Sequence, residues 1–293
     1  MTRFVIHEDD VAFCQGANDA FFELIRLGTI SAGSVMVPCP WFHDLAQRAA
    51  GHDAGELDLG VHLTLTSEHP GYRWAPVTRP SVASGLIDDD GFMWAAVADV
   101  RAHAAPDAVE AEWRAQIDRA LAAGVDVTHL DAHMGAALAP EWCERYVAVG
   151  VDYGVPVLMT ADLEGYGPSN HLEGASAEAF AEFVHQARAA GMPVFDVVLE
   201  TDFGRPRGAP VDYATMLTDA DHRDGWELIY CAFHPCAAGP GEVERIDPAT
   251  WHVRTEEYDL FRSHEWRAWL EQQHFEVIGM AGLRNELRTA RAG

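Results

Sequence analysis

Short apolar runs recur down this chain, and several of them stop on a histidine or a carboxylate. Phe4-Val5-Ile6 runs into His7-Glu8-Asp9-Asp10. Over Glu56–Thr66, Leu57, Leu59, Val61, Leu63 and Leu65 alternate with Asp58, Gly60, His62 and Thr64, the period-two signature of a strand. Val125 to Leu130 leads into Asp131-Ala132-His133, Val194 to Leu199 ends at Glu200, and Trp226 to Phe233 ends at His234-Pro235. Ser34–Val37, Pro156–Met159 and Phe275–Ile278 read as further strands. Helical patterns lie between them: Ala17–Leu27, Trp41–Ala50, Pro106–Ala123, Glu141–Val149, Ala177–Ala190 and Ser263–Gln273. The strongest is Pro106–Ala123, with Val109, Trp113, Ile117 and Leu121 on one face and Gly124 after it. Strands alternating with helices, with no linker or repeat between them, confine the chain to the α/β class. They predict one barrel-like β/α domain over 1–293.

Such barrels carry their chemistry at the carboxyl ends of their strands, and that is where the polar residues fall. Alternate residues of a strand share a face, so His129, Asp131 and His133 are expected to point the same way. Asp10, His62 and His133 come from three strand ends and form a candidate ligand set for one divalent metal ion. One carboxylate and two imidazoles leave coordination positions open for water and substrate. Such an ion lowers the pKa of a bound water and polarises a carbonyl. Asp9 is the candidate base for that water, and His234 the candidate acid for a leaving amine. His129 and Asp131 are expected to support a ligand imidazole through its other nitrogen. Trp74, in the long irregular region 67–104, is a candidate for a binding wall, and Asp88-Asp89-Asp90-Gly91 reads as a turn. Arg254 is a candidate for holding substrate or orienting a carboxylate, with an exposed salt bridge as the alternative.

Charge narrows the partners. Twenty basic residues, all arginine, face 46 acidic ones, for a net charge of −26. That surface repels phosphate backbones and anionic lipid, which argues against nucleic-acid and membrane partners. Five cysteines without a C-x-x-C motif indicate neither a disulfide framework nor a zinc knuckle. Met1-Thr2-Arg3 leads straight into the first strand and no apolar run approaches the ~20 residues of a bilayer span. A cytoplasmic protein is expected.

Four islands carry a family resemblance: Val5-Ile6-His7-Glu8-Asp9-Asp10 with Asn18, Gly60-Val61-His62-Leu63-Thr64-Leu65-Thr66, Thr128-His129-Leu130-Asp131-Ala132-His133, and Phe233-His234-Pro235. In this order they resemble the YdjC/ChbG family of carbohydrate deacetylases. The resemblance implies a single distorted β/α barrel of about seven to eight strands, related to polysaccharide deacetylases. It implies removal of acetyl from a small N-acetylated sugar or oligosaccharide, with one Mg- or Zn-type ion as cofactor. By matching position it makes Asp10, His62 and His133 the ligands, Asp9 the base and His234 the acid. Two places depart from the family pattern. Asp10 is followed by Val11-Ala12-Phe13 where the family commonly has Phe-Gly, and Gly135 stands where it often has another histidine. These departures bear on the substrate more than on the chemistry. Another barrel metallohydrolase, of amidohydrolase or phosphoesterase type, and a non-catalytic carbohydrate-binding relative remain the alternatives. A homodimer is left open as the assembly.

Overall fold

The computed structural model describes residues 1–52, 55–166, 175–239 and 241–292; the rest of the domain expected over 1–293 lies outside the described residues. Seven parallel strands form one sheet: β1 Arg3–Val11, β2 Ala32–Val35, β3 Leu59–Leu63, β4 Val127–Ala132, β5 Val197–Glu200, β6 Leu228–Phe233 and β7 Glu276–Val277. Their order is β4-β3-β2-β1-β6-β5, and β7 pairs with the start of β1 at Arg3 and Phe4. Parallel bridges Leu130–Val157 and Thr160–Phe195 connect β4 to the residues just before β5. The sheet thereby curls into a distorted barrel.

The expected strand at Pro156–Met159 is this closing segment, and it makes bridges instead of a regular ladder. Pro156 has no N–H to give. The segment's backbone bonds go partly to β4 and partly to tyrosine hydroxyls: Leu158 N donates to the Leu130 carbonyl at 2.8 Å as well as to Tyr146 Oη at 3.1 Å, and Thr160 N donates to Tyr166 Oη at 3.2 Å.

β1 departs most from expectation. The apolar run stops at Ile6, yet the strand continues to Val11 through four consecutive ionisable residues, all buried. β1 is the central strand, flanked by β2 and β6, so its polar residues point into the barrel or into packed surroundings whatever their type.

Outside the barrel, the leucines and valine of β3 pack in the main core with the helix Pro106–Ala122. Val109, Trp113 and Ile117 of that helix are fully buried, but Leu121 is 46% exposed and Ala120 takes the inner position. A spacing of four drifts off a 3.6-residue period, so the stripe turns outward by its fourth member. The sequence reading passed over several helices. One of them, Trp251–Phe261, brings Arg254 and Glu257 to the barrel mouth.

Candidate metal centre

In a regular strand, neighbouring residues point to opposite faces. Asp9 and Asp10 nevertheless both line the same cavity. The register of β1 against β2 shifts between Glu8 and Val11, and Asp10 has a left-handed backbone with φ of 60°. This bulge turns a second carboxylate inward within one residue. Local bonds hold it: Phe13 N donates to the Asp10 carbonyl at 3.0 Å, and Ala12 N donates to Asn18 Oδ1 at 2.9 Å.

β3 delivers His62, whose Nε2 lies 3.4 Å from Asp10 Oδ1. Its other nitrogen, Nδ1, is held by Asp131 Oδ1 from β4 at 2.9 Å. Asp131 is itself fixed, because Oδ2 accepts from Ser34 Oγ at 2.8 Å and Tyr230 Oη at 3.2 Å. His133 follows β4 directly, and the chain turns away through Met134 and Gly135, both at positive φ. His133 Nδ1 lies 3.1 Å from Asp10 Oδ1, and Nε2 lies 3.0 Å from Glu68 Oε1. Asp10, His62 and His133 therefore present one ligand atom each, all within 4.8 Å of one another. Each imidazole has a carboxylate on its far nitrogen, the arrangement that orients metal-ligating histidines and raises their basicity. The donor set fits a small hard or borderline divalent cation.

Arg254 caps the cluster on its other side. Its Nη1 donates to Asp10 Oδ2 at 2.9 Å, and its guanidinium lies over the rings of Phe13 and Phe203. His234 Nε2 lies 3.9 Å from Asp9 Oδ2 and 4.0 Å from Asp10 Oδ2. Its other nitrogen is 2.9 Å from Thr201 Oγ1, which donates to Glu257 Oε1 at 2.6 Å. With its proton committed to Glu257, the Thr201 hydroxyl accepts from His234 Nδ1–H. That fixes the tautomer and leaves Nε2 facing the cavity. Glu257 also accepts from the His234 backbone N at 2.7 Å.

Charge separates these groups. Burial alone would raise Asp10, but Arg254 and His133 outweigh it and hold the carboxyl well below its ordinary range. Burial would lower His133, yet Glu68 and Asp10 hold it up at about 9. His62 is likewise raised against burial, by Asp131 and Asp10. Asp9 goes the other way: burial pushes it well above the usual carboxylate range, against the pull of His62. His234 is pushed down to about 3 by burial, so its ring is neutral at neutral pH.

These side chains open onto a cavity of about 530 Å³, whose wall includes Met134, Gly135, Leu138, Tyr166, Val198 and Phe203. The family model described as YdjC-like protein matches residues 3–272. The chain belongs to the YdjC-like family. A Thermus thermophilus protein named carbohydrate deacetylase is 37% identical over 163 residues, 56% of this chain and 55% of that one. A Listeria monocytogenes protein of the same name is 27% identical over 287 residues, 96% of this chain and all of that one. The match spans about half the length of the Thermus relative and, at 58%, little more of a Brevibacillus brevis relative. The crystal structure of an Enterococcus faecalis protein described as a cellobiose-phosphate cleavage protein has a TM-score of 0.76 at 18% identity. That alignment covers 96% of this chain and 98% of that one, and shows a shared fold.

In this YdjC-like chain, Asp9, Asp10, His62, His133, His234 and Arg254 come together as read from the sequence. Three readings change. Arg254 is 6% exposed and orients a carboxylate from within, so it is not an exposed salt bridge. Trp74 is 3% exposed and outside the cavity wall; it packs against His133 from behind and donates to the Thr66 carbonyl. Asp131 Oδ1 sits on the far nitrogen of His62, but His129 touches neither of the two candidate ligand imidazoles. Its Nε2 lies 2.8 Å from His7 Nε2, deeper in the barrel. Glu68, Thr201, Glu257 and His7 complete the surroundings, the first three without a signal of their own among the motifs. For His7 a signal existed, since it stands two residues before Asp9 on the same face of β1.

Proposed function

We propose that this chain is a metal-dependent hydrolase that removes acetyl from an N-acetylated sugar or oligosaccharide. The observation that carries this reading is the Asp10–His62–His133 cluster facing a cavity, with Asp9 and His234 on one side of it. The names of the relatives point to the same chemistry, and a cavity of this size is in the range that holds small ligands.

Asp10 Oδ1, His62 Nε2 and His133 Nδ1 would hold the ion, of Mg or Zn type. When bound, it would acidify a water and polarise the acetamide carbonyl. The protein's own groups then manage the protons. Asp9 Oδ2 accepts the proton of the attacking water. His234 enters the cycle neutral with its Nε2 lone pair toward Asp9, takes up that proton, and gives it to the departing amine. Thr201 and Glu257 keep the ring aimed while its charge changes. Arg254, locked to Asp10, fixes which carboxylate oxygen is left for the ion. The wall also holds Glu68, Glu200 and Asp247 against one arginine, a setting that disfavours a phosphate dianion and suits an uncharged sugar. Met134 and Gly135, where the chain leaves the family pattern, form part of that wall and are where substrate preference would be set.

Elemental analysis, followed by an acetate-release screen over N-acetylated saccharides, tests the reading. One divalent ion per chain and acetate release are expected, both lost in His62→Ala and in His133→Ala. Metal-replete protein that cleaves p-nitrophenyl phosphate but none of the N-acetylated saccharides would overturn it.

A further inference from the structure

The base assigned to Asp9 has two oxygens, and only one can face the water it deprotonates. Oδ2 is the one near His234 Nε2. Oδ1 points inward, 2.6 Å from His7 Nδ1. His7 is fully buried and outside the cavity wall, so it meets neither substrate nor ion. Its other nitrogen begins a line of hydrogen bonds down the barrel interior. His7 Nε2 lies 2.8 Å from His129 Nε2, and His129 Nδ1 lies 2.8 Å from Thr128 Oγ1. Thr128 Oγ1 donates to Asp58 Oδ1 at 2.6 Å. Asp58 precedes β3, at the end of the barrel opposite the site, and its Oδ2 accepts from Ala281 N at 2.7 Å in the first turn of the helix Met280–Ala292. Gly60 makes room for the line: a Cβ there would come 2.6 Å from the His129 ring.

Donors and acceptors along this line are determined from its anchored end. Thr128 gives its hydroxyl proton to Asp58, so it accepts from His129 Nδ1–H. His129 Nε2 is then bare and accepts from His7 Nε2–H. Each ring is held in one tautomer and one orientation. With its Nε2–H given to His129, neutral His7 has a bare Nδ1, so the proton of the 2.6 Å link sits on Asp9 Oδ1 and shifts onto Nδ1 as Oδ2 takes up the proton of the water. We propose that His7 is a positioning residue for the reaction: it clamps Asp9 Oδ1 inside the barrel so that Oδ2 faces the cavity, and the line His129–Thr128–Asp58 holds it from the far end. This inference rests on the deacetylase reading for its effect on rate, and on the geometry alone for the clamp.

Two measurements on the whole chain test it separately. The first is acetate-release kinetics with metal content measured in parallel. His7→Phe is expected to lower kcat by about 100-fold, the effect of a misplaced catalytic group, with KM and bound metal unchanged. In His7→Asn the side-chain amide oxygen takes the place of Nδ1 as acceptor, and about tenfold of that loss is expected back. His129→Leu, which frees the remote side of His7, is expected to fall between wild type and His7→Phe. The second is proton NMR of the imidazole N–H region. A downfield resonance is expected in wild type and lost in both His7→Phe and Asp9→Asn. The clamp is overturned if the resonance persists in Asp9→Asn. The positioning role is overturned if folded, metal-loaded His7→Phe keeps kcat within twofold of wild type, or if His7→Asn is no better than His7→Phe. If wild type releases no acetate, the deacetylase reading falls, and the NMR comparison still decides the clamp.

Discussion

Two clusters of histidine and aspartate lie one above the other in this barrel, built from the same residue types, with β1 contributing to both and Asp9–His62–Asp131 bridging them. The upper one, Asp10–His62–His133, opens onto the cavity. The lower one, His7–His129–Asp131, also brings three potential ligand atoms within 4.8 Å, but it is sealed. Upper histidines face carboxylates on both nitrogens, and their pKa values are raised. Burial dominates below, and His7 and His129 are each pushed down to about 4. Below, each nitrogen is spent on a neighbour; above, the facing nitrogens converge on one carboxylate oxygen that an ion could share. Residue type therefore does not distinguish a candidate metal site from a structural hydrogen-bond line. Access and the carboxylates behind the rings do.

The comparison is broken most directly by truncating each layer. Asp10→Ala or His133→Ala should lose the bound ion and at least about 1,000-fold in acetate release, because no neighbour replaces the missing ligand. His129→Leu should keep one ion per chain by elemental analysis. An ion lost from His129→Leu, or two ions in wild type, would mean that both layers bind metal. Between the layers sits Asp9. Asp9→Asn should retain the ion while kcat falls by about 100- to 10,000-fold, the range of a lost general base.

The lower layer also makes a prediction about pH. His129 has a folded pKa of about 4, below its ordinary 6.5, so the unfolded chain binds the proton more readily. Its contribution is complete above about 6.5 and is lost as pH falls toward 4. On the order of 3 kcal/mol of unfolding free energy should disappear over that window. Denaturant titrations of metal-free protein should show this acid limb, and His129→Gln should make it shallower, with His7 and His234 supplying the remainder. His133 has the opposite sign: its stabilisation is present below about 6.5 and lost as pH rises through 9. The smallest effect is expected at Glu68→Gln. Metal affinity should weaken by about 10- to 100-fold while kcat at saturating metal stays near wild type, as for a residue that only orients a ligand.

Much of the upper layer was legible because it depends on local facts. Asp10 and His133 follow apolar runs and His62 lies on the inward face of an alternating one, positions the sequence can mark. The depth of the barrel was not legible. Period two places His129, Asp131 and His133 on one face, but each step of two advances the strand by about 6.6 Å. His129 and His133 are two such steps apart, about 13 Å along the chain, and cannot serve one ion. The bulge in β1 was also invisible, since four polar residues after an apolar run read as a strand's end. Glu68 lies beyond β3 in irregular chain, where no periodicity points to it. Arg254 and Glu257 lie on a helix whose inner face mixes Val253, Arg254, Thr255, Glu257 and Tyr258, too polar to announce itself as buried.

The bulge at Asp9 and Asp10 has a consequence for anyone who would move this site to another scaffold. An ordinary strand has two addresses, inside and outside, assigned strictly in turn. β1 breaks that rule at one step and sends two consecutive letters to the same address. Grafted onto a regular strand, the pair Asp9-Asp10 would leave one carboxylate in the cavity and strand the other among the surrounding helices. The portable unit is therefore the pair together with the left-handed turn at Asp10 and the Asn18 side chain that receives Ala12 N. Backbone and side chain would have to be inherited as one piece.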